Sequence, residues 1–508
     1  MSALSLPLEI LTKIQPAIPK NSEVYLVGGA IRDSLLARPI TDLDFTLPDH
    51  AIDTARRVAN YLRAAFYPLD ISRDIGRVII EEWDSKRWTL DFAAFQGQDL
   101  ETDLYNRDFT VNAMAVSMRD LDTLIDPLGG AKDLRNKTLH VCSSHSFVDD
   151  PIRVPRAFRQ ASDLNLTFSS GTKAGMYPAI PYLESISQDR LRDELFRILG
   201  GARPASVLRG LDVVGALKFM LPELDALKTV AAAPPHISDA FSHSLNTVQK
   251  LNKILKILSI EYDTESNPNW ITGLISVKLG RYRRHLDEHL KTSLVPGRSL
   301  TGLLMLSALY HDVGKPATRT VDGAGEVHFF QHDNLGAQKA YNRARILRMS
   351  RLECDRICRI VKYHMRPILF AQAGELPARR SIYRFFQATG ETGVDICLLS
   401  LADTLATYGT ELPQAKLIFL VDVIRTLLES WWELADEVVS PPILINGSDL
   451  IEEFQIKPGP LIGRILSLAR EAQASGEIQS RAQALDFARH CIKDAQIMEK
   501  DTKGFFEP

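Results

Sequence analysis

Cysteine is scarce in this sequence. Five residues in 508, without regular spacing, exclude the disulfide framework that holds together small secreted domains. Cys354 and Cys358 share a helix face, but no second pair stands nearby to complete a zinc site. Long apolar runs are missing too. None reaches the roughly 18 residues that a membrane span requires, and no basic segment precedes an apolar core at the N-terminus. The expectation is a cytoplasmic protein without a membrane partner. Nor is there an excess of charge: the formal net charge of −3 offers no general pull toward nucleic acid. Any RNA contact therefore has to come from local clusters such as Arg153, Arg156 and Arg159, or Arg281, Arg283 and Arg284. Internal repeats and low-complexity tracts are likewise missing.

What remains is ordinary globular material, 45% hydrophobic and 24% charged. The length exceeds one core, and about 150 residues per domain predicts three or four domains. The chain is organised around Val24-Tyr-Leu-Val-Gly28-Gly29-Ala-Ile-Arg32-Asp33 and the following Thr41-Asp42-Leu-Asp44-Phe45. An apolar strand runs into paired glycines, whose missing Cβ lets backbone approach a phosphate. In Asp42-x-Asp44 the two carboxylates point to one face of a strand, a spacing that suits Mg²⁺ held against a triphosphate.

Around this stretch, residues 1–20 predict a short helix ending near Pro16 and Pro19. Ala55, Val58, Ala59 and Leu62 recur at helical spacing. Arg77-Val-Ile-Ile and Trp88-Thr-Leu-Asp91-Phe read as strands around a polar turn at Asp84–Arg87. Asp91 is then either a third carboxylate beside Asp42 and Asp44 or a strand residue facing solvent. A second dense motif follows, Asn106-Arg107-Asp108-Phe109-Thr110-Val-Asn112-Ala-Met-Ala, and then Asp126-Pro-Leu-Gly129-Gly130-Ala-Lys132-Asp133.

Together these segments resemble the bacterial-type (class II) tRNA nucleotidyltransferase and poly(A) polymerase family. Asn106 stands where that family has an arginine. The resemblance implies that Asp42 and Asp44 are catalytic Mg²⁺ ligands. It also implies that Gly28, Gly29, Arg32, Asp33, Arg107, Asp108 and Asn112 bind the incoming nucleotide.

Phe147-Val-Asp149-Asp150-Pro151-Ile-Arg153-Val-Pro155-Arg156-Ala-Phe-Arg159 predicts a helix capped by Asp149 or Asp150, with proline in its first turn. Asp150 and Arg153, three apart, share a face. A carboxylate and a guanidinium side by side can read the pairing edge of a base without a template. The resemblance implies this role for Asp150 and Arg153, with Arg156 and Arg159 also at the nucleotide. Asp149 replaces the usual glutamate, and Pro155 interrupts the arginine helix. Farther on, Leu191, Leu195, Ile198 and Leu199 pack a helix inward, and its Arg190 and Asp193 are placed to brace the base-reading helix.

From about residue 235 a different set emerges: His243, His311-Asp312, His332, His364 and Asp403. Tyr310-His-Asp-Val-Gly-Lys-Pro and its surroundings resemble the HD phosphohydrolase signature. These six residues are the expected metal ligands, suited to Mn²⁺, Ni²⁺, Mg²⁺ or Fe. Hydrolysis of a phosphoester such as a 2′,3′-cyclic phosphate is the implied chemistry. Arg464 and Arg470 are candidate RNA-backbone contacts.

The expected fold is α+β. A polymerase-β-like head with a mixed sheet spans 1–140, a helical neck 141–230, an HD domain 231–410 and a C-terminal helical RNA-binding region 411–508. The expected function is template-independent addition of CCA to tRNA 3′ ends from CTP and ATP. CC addition, A addition and poly(A) synthesis share the framework. The short link Gln96–Thr102 favours CC addition, because by resemblance a longer loop there helps switch from CTP to ATP. From another class, the chain would be an HD phosphohydrolase with the head reduced to RNA binding.

Overall fold

The computed structural model describes residues 4–503 apart from 20, 82–86, 233–234 and 263–268. The chain divides into two compact units, Met1–Leu195 with Ser206–Met220, and Phe196–Ala205 with Leu221–Pro508. The fold class is α+β, a mixed sheet with helices followed by a helical remainder.

The first unit is built on strands β1 (Tyr25–Val27), β2 (Asp42–Leu47), β3 (Ala65–Asp70), β4 (Ile75–Glu81), β5 (Arg87–Ala94), β6 (Ala115–Ser117) and β7 (Asp120–Ile125). They form one sheet in the order β3-β4-β5-β2-β1-β6-β7. Alternation explains the two central strands. Leu43, Phe45 and Leu47 point to the buried face while Asp42 and Asp44 are exposed on the other, and Trp88, Leu90 and Phe92 are buried in the same rhythm. β2 and β5 run parallel with Phe45 opposite Phe92 and Asp44 opposite Asp91. The two phenyl rings stack at 4.7 Å, worth about 0.5–1.5 kcal/mol beyond their burial, in the same register that aligns the carboxylates. Asp84, Ser85 and Lys86 of the expected polar turn lie outside the described residues, whereas Arg87 opens β5.

The neck departs from expectation at its start. Its arginine helix is Arg153–Leu164, and neither Asp149 nor Asp150 caps it. Asp149 instead ends the short helix Ser146–Asp149, and Asp150 is extended at φ −145° and ψ 93°. Pro151 is the cause, because proline drives the preceding residue out of the helical region. Pro155 is accommodated, since it falls among the first helical residues, whose N–H groups have no partner within the helix.

The second unit is helical, with one small hairpin at Thr320–Val321 and Val327–His328. Its C-terminal helices Gly447–Phe454 and Pro460–Ala474, together with the helix from Arg481, close on Leu450, Ile462, Ile465, Ala469 and Ala488. Among the described residues no helix is long and apolar enough to cross a membrane.

One buried polar network joins three helices of this unit, Arg283–Lys291, Arg351–Tyr363 and Thr392–Tyr408. His289 lies 2.8 Å from Asp395 and 3.2 Å from Glu391, and Arg356 lies 2.7 Å from Asp395. Burial works against the His289 charge, but hydrogen bonds to Asp395 and Glu391 hold it up to about 9 against an ordinary 6.5. The stabilisation from this raised value is complete below the unfolded value near 6.5 and is lost as pH rises through about 9. Wild type is therefore expected to exceed His289→Gln by up to about 3 kcal/mol at about pH 6, with the gap closing toward about pH 10. Urea midpoints at the two pH values measure it, and a gap independent of pH would refute it.

Candidate active site

At the end of β1 the chain turns through Gly28 with φ +74°, a left-handed conformation that favours glycine. A Cβ there would stand 3.2 Å from Asp44 Oδ2 and 3.4 Å from Arg107 Nη1. The backbone, the carboxylate and the guanidinium thus converge on one point. Asp44 is raised to about 6, first by burial and then by Asp91, while Arg107 pulls it down. The Asp44 side chain borders solvent on one side and is packed among protein on the others, with Asp42 adding to the rise and Arg77 opposing it. Asp91 is held by Arg77 of β4 through two bonds of 2.7 Å, Nε to Oδ1 and Nη2 to Oδ2.

Arg32, Asp33, Asp108 and Asn112 form one continuous network. Arg32 donates to Asp33 at 3.0 and 2.7 Å and to Asn112 Oδ1 at 2.7 Å. Asn112 donates in turn to Asp108 at 2.8 Å and to Gln160 at 3.0 Å. Asp108 accepts from Arg156 at 3.1 Å. Burial would raise Asp108, yet the charge of Arg156 and the hydrogen bonds from Asn112, Arg156 and Phe109 N hold it below the usual range. Arg156 and Arg159 both reach Glu194, at 3.6 and 2.6 Å. Bracing of the arginine helix therefore comes from buried Glu194 rather than from Asp193, which pairs with its neighbour Arg192. Gln160 and Glu194 were not singled out in the sequence. Gln160 lies one helical turn past Arg156, and that spacing was the available signal.

Asp150 and Arg153 lie together, Nε to Oδ2 3.9 Å, and Arg190 donates to Asp150 at 2.7 Å. Arg153 itself donates to the carbonyls of Asn106 at 2.8 Å and Arg107 at 3.2 Å and to Ser146 Oγ at 2.7 Å. It thus anchors the backbone of the Arg107 segment. The link after Phe95 is tied down as well. Gln96 N donates to Asp103 Oδ1 at 2.8 Å, Asn106 Nδ2 donates to Gln96 O, and Asp103 also accepts from Arg107 at 2.9 Å.

In the second unit, the helix Leu300–Tyr310 ends just before His311, so that His311 and Asp312 turn inward together. His243 Nε2 lies 2.9 Å from Asp403, His311 Nε2 3.3 Å from Asp312, and His332 Nε2 3.6 Å from Asp312. His311, His332 and His364 each donate Nδ1–H to the carbonyl three residues earlier, Ala308, Phe329 and Val361, at 2.7, 2.9 and 2.7 Å. That fixes their rings with Nε2 as the free ligand atom. Nε2 of all three is buried without a hydrogen-bond partner, which is what rings built for a cation present. Burial lowers His364 to about 4, with the nearby His311 charge adding to it. Burial would lower His311 too, but the Asp312 and Asp403 carboxylates raise it to about 10, the direction in which a cation-binding field acts. The sequence reading missed Lys315, whose Nζ is 2.7 Å from Asp312 Oδ2, and His236, packed edge-on to His243 at 4.8 Å.

Residues 24–140 match the poly(A) polymerase head domain, 165–228 an RNA- and SrmB-binding site of polymerase A, 240–408 the HD domain and 429–488 domain 2 of tRNA nucleotidyltransferase. The chain is 27% identical to a CC-adding tRNA nucleotidyltransferase of Geobacter sulfurreducens, over 91% of this chain and 90% of that one. It is 29% identical to an A-adding tRNA nucleotidyltransferase of Deinococcus radiodurans, over 94% and 98%. Over most of its length the chain is thus similar to tRNA nucleotidyltransferases, with the poly(A) polymerase head, the HD domain and tRNA nucleotidyltransferase domain 2 matched in that order. A solved complex of a CCA-adding enzyme with ATP shares the fold at a TM-score of 0.60, with 19% identity over 96% of this chain and 97% of that one. Both the nucleotidyltransferase head and the HD domain are of kinds that use divalent metals.

Proposed function

We propose that this nucleotidyltransferase extends tRNA 3′ ends without a template, adding CCA from CTP and ATP. The observation that carries the reading is the convergence of Asp44, Arg107 and the Gly28 backbone beside Asp42. Asp42 and Asp44 would hold Mg²⁺. When bound, Mg²⁺ supplies charge against the triphosphate and makes the terminal 3′-hydroxyl easier to deprotonate. The open backbone at Gly28–Gly29 receives the phosphates, and Arg107 lies over them. Arg32, Asn112 and Asp108 fix the floor on which the ribose rests. Asp150 and Arg153 choose the base, Arg153 by exchanging backbone partners for the nucleotide.

The division of labour assigns 1–140 to transfer, 141–230 to base choice, 231–410 to phosphoester hydrolysis and 411–508 to RNA. In the HD part, His243, His311, Asp312, His332, His364 and Asp403 would hold a transition metal such as Mn²⁺ or Ni²⁺, or Mg²⁺. The three rings fixed through Nδ1 support that assignment.

A second reading, CC addition alone, is favoured by the short link Gln96–Thr102, which Asp103 and Asn106 pin at Gln96. Relatives of both the CC-adding and the A-adding kinds bear on the choice. A tRNA lacking its terminus, offered CTP and ATP, is expected to grow by the full CCA. Growth by CC alone establishes the second reading, and no growth refutes both.

A further inference from the structure

We propose that Arg77 grips the last phosphate of the RNA acceptor. The inference rests on the reading of the head given above. Strand order carries it. Across the sheet the relevant positions run Arg77 on β4, Asp91 on β5, Asp42 and Asp44 on β2, and Gly28 at the end of β1. The carboxylates lie between two cationic flanks. On the β1 flank, Arg107 and the open Gly28 backbone form the place for a triphosphate. In-line phosphoryl transfer sets the attacking and leaving oxygens on opposite sides of the reacting phosphorus. With pyrophosphate leaving on the β1 flank, the RNA terminus arrives on the β4 flank, where Arg77 stands.

The geometry of Arg77 suits that task. Its Nε and one Nη2 hydrogen are spent on Asp91, but both Nη1 hydrogens and the outer one on Nη2 take no part in that pair. The side chain is 37% exposed. A guanidinium held rigid by a carboxylate loses little rotamer freedom when it takes a phosphate. Asp91, Asp42 and Asp44 all favour the charged form of Arg77, so the flank where the RNA arrives presents a fixed positive group to a polyanion.

The test titrates the full chain with a tRNA lacking its 3′-terminal CCA, at several salt concentrations and without nucleotide, and measures CTP binding separately. Arg77→Met is expected to weaken RNA binding about tenfold. It should also reduce the slope of log affinity against log salt by about 0.7–0.9, the share of one phosphate. CTP affinity should stay within about twofold, since Arg77 lies on the other flank. Arg77→Lys should restore the slope. Arg77→Gln keeps a donor for Asp91 without the charge and serves as the neutral variant if Arg77→Met does not fold. An unchanged slope in the neutral variant, or an equal loss of CTP and RNA affinity, overturns the assignment. Failure of the wild-type chain to extend the RNA overturns instead the reading on which it rests.

Discussion

Asp44→Asn is expected to lower incorporation of labelled CTP by at least about 10³-fold, equivalent to roughly 4 kcal/mol of transition-state stabilisation. The change is isosteric, so the effect comes from the charge. An amide offers one weakly polar oxygen where a carboxylate offers a full negative charge to a divalent ion. The fold should gain rather than lose. Asp91 and Asp42 both push Asp44 toward protonation, so a neutral residue relieves repulsion among three aligned carboxylates. Thermal melting is expected to stay level or rise while activity falls, the usual opposition of stability and function at such a site. Incorporation retained within about tenfold would sink the catalytic assignment.

The second large effect belongs to the HD cluster. Asp312→Asn is expected to reduce tightly bound transition metal from about one per chain to a tenth or less, as read by elemental analysis. Hydrolysis of a 2′,3′-cyclic phosphate should fall by at least about 10³-fold with it. CTP incorporation should be untouched. Asparagine is preferred to alanine because Asp312 lies 2.7 Å from Lys315 and 3.3 Å from His311, both buried, and an amide oxygen of the same shape still accepts a hydrogen bond there. Asparagine loses the charge as alanine does, so thermal melting of the variant is compared with wild type to separate instability from missing metal. Full metal content together with full hydrolysis in the asparagine variant would remove the site.

The sequence made parts of this legible for physical reasons. Asp42-x-Asp44 declares its own geometry, because a period of two is the strand's period, and Asp91 falls opposite Asp44 in the register that also pairs Phe45 with Phe92. The HD histidines were visible as types in an order. Their readiness as ligands was not, because it depends on carbonyls three residues back that only a helix end brings to Nδ1. Arg77, Gln160, Glu194 and Lys315 escaped notice for a related reason. Apart from Lys315, each finds its partner across many residues of chain: 14 for Arg77 and Asp91, 35 for Arg159 and Glu194. No local pattern records a meeting of that kind. The start of the arginine helix was misplaced because a capping residue and a proline gave opposed signals at Asp150, and the proline prevailed.

The bonds running from Arg32 through Asn112 and Asp108 to Arg156 and Glu194 also bear on where the chain can be divided. Asp108 is buried as an anion whose counter-charge is supplied by the neck helix. A head cut away near residue 140 would carry that anion without its arginine, and a neck grafted onto a foreign head would carry arginines and Glu194 without the carboxylate. A chain cut near residue 140 is therefore expected to leave Asp108 without the guanidinium of Arg156, and the two segments are expected to be stable only when kept together.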